Sequence, residues 1–175
     1  MTDNWDNLPA PLELDNPLWR YALIAWSCPK VEQACLELQA RNWSVTRILA
    51  AGWLAVEGRD YETEAAIVQR WREQMTNALR MTRKQIPRHQ PALSSLRKQL
   101  ANAELEAERV ELALAYESLR RPGKADTGKL TQAERIRANL RAVSPTHNFD
   151  QETGRLLDAL VHHLPQDSSY GADKP

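Results

Sequence analysis

PALSSLRKQLANAELEAERVELALAYESLR, residues 91–120, runs from an opening proline with neither proline nor glycine after it. Leu93, Leu96, Leu100, Ala103, Ala107, Val110 and Leu114 recur in steps of three and four, a heptad seam of the kind that packs helix against helix. A second stripe, Leu105, Leu112 and Leu119, lies on another face, so the C-terminal half wants partners on two sides. At about 1.5 Å per residue this helix is roughly 45 Å long. A compact chain of this length is about 40 Å across, so the helix spans the domain or projects from it.

On either side of this stretch, helix signals recur and strand signals do not. Asn16-Pro17 is a cap followed by proline at the first helical position, with Trp19, Ala22, Leu23 and Trp26 forming one apolar face. Ser27 and Pro29 break that segment, and Val31, Ala34, Cys35 and Leu38 repeat the spacing. Ser44 caps a third helix with the stripe Val45, Ile48, Leu49, Gly52, Trp53 and Val56, closed by Gly58. Gly52 in that stripe costs about 1 kcal/mol relative to alanine, which suggests that another element comes close there. Asp60 is the expected cap of a fourth helix, with Val68, Trp71, Met75 and Leu79 inside and Pro87 as its stop. After the long helix, Thr131 and Glu134 form a capping box ahead of Ile136, Leu140 and Val143. Asp150 caps a last helix with Leu156, Leu157, Leu160, Val161 and Leu164 inside. The expectation is an all-α, single-domain helical bundle of about five to seven helices. Residues 1–15 read as a flexible acidic segment and 16–121 as the helical core. Residues 122–129 read as a linker, 130–164 as C-terminal helices packing on or extending from the core, and 165–175 as a disordered tail.

The chain has 175 residues, 42% of them apolar and 26% charged, which is ordinary globular composition. Lys plus Arg equals Asp plus Glu at 23 each, so any attraction to nucleic acid or an anionic membrane has to come from a local patch. Cys28 and Cys35, seven positions apart on helix, are too distant for a disulfide and read as free thiols of a reducing compartment. The first fifteen residues lack the basic and apolar regions of a signal peptide, and no stretch is apolar enough to span a membrane. The expected location is the cytoplasm.

The segment Asn16-Pro-Leu-Trp-Arg-Tyr-Ala-Leu23, followed by Pro29-Lys-Val-Glu-Gln-Ala-Cys-Leu-Glu-Leu-Gln39, resembles a family of short proteobacterial proteins catalogued as a domain of unknown function. Trp71 to Lys84 and Leu105-Glu-Ala-Glu-Arg109 follow the same pattern, so the resemblance covers roughly residues 16–120. It implies an all-helical cytosolic protein and brings no catalytic or binding residues with it.

No motif of catalysis is present. There is no nucleophile elbow, no zinc or di-iron ligand spacing, no Walker loop and no dinucleotide fingerprint. No catalytic residue, metal ligand or cofactor is expected. Cys35 lies in an apolar stripe, where a thiol is inert, and Cys28 sits at a helix start with no base beside it. His162 and His163 point to different faces, and Asp158, one turn from His162, reads as its surface hydrogen-bond partner. Glu104, Glu108 and Glu111 line one side of the long helix and read as a solvated face. Basic residues cluster at Arg70, Arg72, Arg80, Arg83, Lys84, Arg88, Arg97 and Lys98, and again from Arg120 to Arg141. Arg80, Arg83, Lys84 and Arg88 are candidate phosphate contacts, or else partners for the glutamates of the long helix. Trp5, outside every helical face, is a candidate anchor for another protein or docks back on the domain. The leading expectation is therefore a non-enzymatic interaction or adaptor protein whose partner is another protein, with self-association through the long helix as a variant. A nucleic-acid or ribosome-associated factor using the Arg clusters at 70–98 and 120–141 is the alternative, and a small enzyme with a site invisible in sequence is a remote one.

Overall fold

The structure, a computed structural model, describes Trp5, residues 8–120 and residues 130–167. Seven helices and no strand occur among these residues. Helix α1 (Pro17–Trp26) starts where Asn16 Oδ1 accepts from the Trp19 amide at 2.9 Å, and α2 (Pro29–Gln39) starts on its own proline. Ser44 caps α3 (Val45–Val56), and Gly58, at φ +70°, supplies the left-handed residue just beyond its end. Helix α4 runs from Ala66–Trp71 through a π turn, Arg72–Thr76, into Asn77–Gln85. A 3-10 turn at Pro91–Leu93 leads into α5 (Ser94–Leu119), and these two form the expected long helix. The capping box of Thr131 and Glu134 opens α6 (Gln132–Ala142), and Asp150 caps α7 (Gln151–His163).

Helix α3 is the hub. Ten of its residues are buried, so it is apolar nearly all round and has to sit inside the bundle. Helix α6 lies along α3, α7 along α2, and α1 packs on both α3 and α5. A Cβ on Gly52 would run into the hydroxyl and Cζ of the fully buried Tyr21 of α1, and into Leu164, which explains the glycine. Asn139 fastens α6. It donates to the carbonyls of Ala51 at 3.1 Å and Arg59 at 3.0 Å, and accepts from the Tyr61 amide at 2.8 Å.

Several expectations are corrected. Asp60 does not cap α4, which begins at Ala66; its carboxylate pairs with Arg135 of α6 instead. The heptad seam is buried only in the second half of α5. Leu96 is 45% exposed and Ala103 is exposed, because the helix has left the hub there and runs beside the last segment of α4. On α1, Leu23 and Trp26 do not enter the core: they are 52% and 36% exposed. Asp158 pairs with Arg137 rather than His162, and the rings of His162 and His163 meet edge to face with centroids 4.6 Å apart. The expected linker at 122–129, residues 1–4, 6 and 7 of the N-terminal segment and residues 168–175 of the C-terminal one lie outside the described residues.

Candidate functional site

The glutamates of α5 are not a solvated face. Glu111 is fully buried and Glu104 is 7% exposed, because cations and hydroxyls from α3 and α4 converge on them. Arg72, in the π turn, donates from Nε to Glu111 at 2.7 Å and grips Glu64 with its two terminal nitrogens at 2.8 and 2.5 Å. Thr76, also in the π turn, donates to the other Glu111 oxygen at 2.8 Å, and Thr46 of α3 donates to the first. Burial works against the Arg72 charge, but Glu64 and Glu111 outweigh it and hold the guanidinium more firmly protonated than usual. Replacing this network by apolar side chains would not by itself weaken the fold, whereas removing one member strands the others. The network ties α4 to both α3 and α5 through Glu111.

A second cluster lies further along the same two helices. Arg80 donates to Glu104 at 2.8 Å and to Glu108 at 2.6 Å, and Arg83 holds Glu104 with Nε and, at 3.2 Å, with Nη2. Burial raises the Glu104 carboxyl, but the hydrogen bonds and charges of Arg83 and Arg80 together overcome it and hold it below the usual carboxylate range. Glu108 goes the other way. Burial pushes it up, and the nearby Glu104 and Glu111 charges add to that against the pull of Arg80. Two carboxylates one helical turn apart are thus driven in opposite directions.

The expected site residues separate accordingly. Arg80 and Arg83 pair with the glutamates of α5, the alternative that stood beside phosphate contact. Arg97 donates to the carbonyls of Arg83 and Ile86 at 2.6 Å each, satisfying the end of α4. Lys84, Arg88 and Lys98 are exposed and have no ion pair among the described residues. Trp5 docks back on the domain: its ring meets Trp71 at 5.1 Å in an edge contact, with the Arg70 guanidinium 5.1 Å above it. Cys35 is buried, which pushes its thiol up to about 12, and Cys28 is half-buried. No group of three or more potential metal ligands gathers among the described residues, and none of their helices is long and apolar enough to cross a membrane.

The feature that the periodicities did not reveal is a groove. Trp19, Ala22, Leu23 and Trp26 of α1 form one wall, and Leu105 and Leu112 of α5 the other. Leu36 and Gln39 of α2, with Val45, Thr46 and Leu49 of α3, complete its lining. Arg83, Glu104 and Glu108 border it on the α5 side. Its volume is about 230 Å³. Eight large apolar side chains stand exposed among the described residues, and four of them, Leu23, Trp26, Leu36 and Leu105, line this groove. Scattered apolar residues at a surface need no explanation, but a contiguous set around a concavity marks a binding surface. The Arg109 guanidinium lies 5.2 Å over the Trp19 ring and steadies the groove wall.

No curated protein and no solved structure matches the chain. A family model described as "Protein of unknown function (DUF2390)" matches residues 17–114, more than half of the chain and a span that holds every residue lining the groove. The chain belongs to that family, DUF2390, a domain of unknown function.

Proposed function

We propose that this domain is a binding module that receives an amphipathic helix of another protein in the groove between α1 and α5. The observation that carries the reading is the gathering of Leu23, Trp26, Leu36 and Leu105, half of the large exposed apolar side chains, around one concavity. An amphipathic helix laid into such a groove offers its i, i+3, i+4 and i+7 side chains to the walls while its own backbone stays satisfied. The groove is also smaller than the 300–1,000 Å³ typical of pockets that enclose a drug-sized molecule, which suits side chains entering from outside. The tie of Arg80 and Arg83 to buried glutamates counts against the nucleic-acid alternative in the 70–98 cluster, where it leaves Lys84, Arg88 and Lys98 as exposed cations without an ion pair among the described residues.

The test uses two surface variants in parallel. Leu105→Glu places a charge in the groove wall, and Leu96→Glu places one at a comparably exposed site of the same helix outside the groove. Proteins captured by the wild type and by Leu96→Glu, in nuclease and in raised salt, should be lost with Leu105→Glu. Capture indifferent to Leu105→Glu would end the groove reading, and capture abolished by nuclease would favour nucleic acid.

A further inference from the structure

Resting on the groove reading, we infer that the helix it receives carries a lysine or arginine beside its apolar stripe, placed to meet Glu108. The charged residues lining the groove are Arg83, Glu104 and Glu108, and Arg80 bonds to both glutamates. These four sum to zero formal charge, yet their bonds are unequally shared. Both oxygens of Glu104 are taken, Oε1 by Arg80 and Arg83 and Oε2 by Arg83. The Arg80 guanidinium is spread over Glu104, Glu108 and, at 3.2 Å, the side chain of Asn77. Glu108 holds a single bond, from Arg80 Nη2 to Oε1, and its Oε2 accepts nothing among the described residues. An ionised carboxylate offers about four acceptor positions, so Glu108 faces the groove under-used.

The electrostatics agree. The Arg83 guanidinium is held more firmly protonated than usual, chiefly by its bond to Glu104, so its charge is already well answered. Glu108 titrates higher than usual, first through burial, so its charge is not. What this edge leaves unanswered is the second oxygen of Glu108. An apolar helix seated in the groove would strip the remaining water from Glu108 and leave that oxygen without a partner, unless it brings a cation along. An acidic residue at the same place would meet Glu104 and Glu108 together and be rejected.

A displayed library of helix-biased 16-residue peptides, selected on the full-length wild-type protein and on Leu105→Glu and Glu108→Gln, tests this. Wild-type selection should enrich an apolar i, i+3, i+4, i+7 stripe with Lys or Arg at one fixed register. Selection on Glu108→Gln should keep the stripe and lose the basic preference, and Leu105→Glu should yield neither. For one synthesised winner, replacing its basic residue by glutamine should weaken binding to wild type about tenfold or more, and much less to Glu108→Gln. An apolar stripe with no basic preference, or with an acidic one, would overturn the inference and leave the groove reading standing. Absence of any peptide sensitive to Leu105→Glu would remove both. Sedimentation showing a wild-type dimer dissolved by Leu105→Glu would make a second copy the occupant and overturn the inference as well.

Discussion

Arg80→Ala separates an arginine built into the fold from one held ready for phosphate. The Arg80 side chain is 14% exposed and makes two charge-assisted bonds, to Glu104 at 2.8 Å and Glu108 at 2.6 Å. Breaking a buried ion pair from one side costs about 3–5 kcal/mol. Two features of this site lower the figure. Glu104 keeps Arg83, and Glu108, already pushed upward in pKa, can take a proton when its one partner goes. About 2–4 kcal/mol is therefore expected at neutral pH, against total stabilities of about 5–15 kcal/mol, so the variant still folds. For a chain of this size that lowers Tm by roughly 4–16 °C. Urea unfolding followed by circular dichroism measures it directly. In a Glu108→Gln background the same substitution should cost less, because no carboxylate is left stranded. A cost below about 0.5 kcal/mol, the range of ordinary surface changes, would refute the reasoning and return Arg80 to the pool of free cations.

Three more outcomes are expected. Glu104 is held below the usual carboxylate range, so its ionised form supports the fold above that range and the support fades as pH falls through its folded value; ionised Glu108, held high, opposes the fold, and that opposition is relieved on acidification. Glu104→Gln should thus destabilise more than Glu108→Gln at pH 7, and the gap should close toward pH 3 in urea titrations at stepped pH, a pH-independent gap arguing against these shifts. Gly52→Ala gains up to about 1 kcal/mol of helix propensity but pushes on the buried Tyr21, an overpacking cost of about 1–3 kcal/mol, so a net loss is expected. Adding Tyr21→Phe removes the struck hydroxyl and should recover part of that loss in a double-mutant cycle; strict additivity would contradict the contact. With a thiol-reactive disulfide reagent at pH 8, the native protein should label at Cys28 well before Cys35, whose thiol is raised to about 12 by burial, and equal rates would contradict that burial.

What was legible in the sequence was local. Caps act within one turn, so Asn16, Ser44, Thr131 and Asp150 could be assigned from neighbouring residues alone, and Gly52 betrayed a close approach by breaking a rule of propensity. Asp60 failed because its partner, Arg135, is far away in sequence and reached only through the fold. The burial of Glu104 and Glu111 was hidden for the same reason, as their cations come from another helix. The groove was hidden more deeply. Periodicity tells which side chains share a face, and the face of Trp19, Ala22, Leu23 and Trp26 was read correctly as one face. It cannot tell whether a neighbour covers that face, and here Ala22 is buried while Leu23 and Trp26 stay open.

The π turn at Arg72–Thr76 joins two registers that one regular helix could not hold together. Before it, Val68 and Trp71 turn inward, with the Trp71 indole donating to the Ala107 carbonyl at 2.9 Å; after it, Arg80 and Arg83 turn toward Glu104. Each residue advances an α-helix by about 100°, so excising a single residue from the turn would swing the whole downstream segment by that angle. The tryptophan would stay seated while both arginines swept off their carboxylates. The extra residue works as a splice, letting an oily length of helix and an ionic one lie along the same partner, with Arg80 and Arg83 meeting Glu104 on its downstream side.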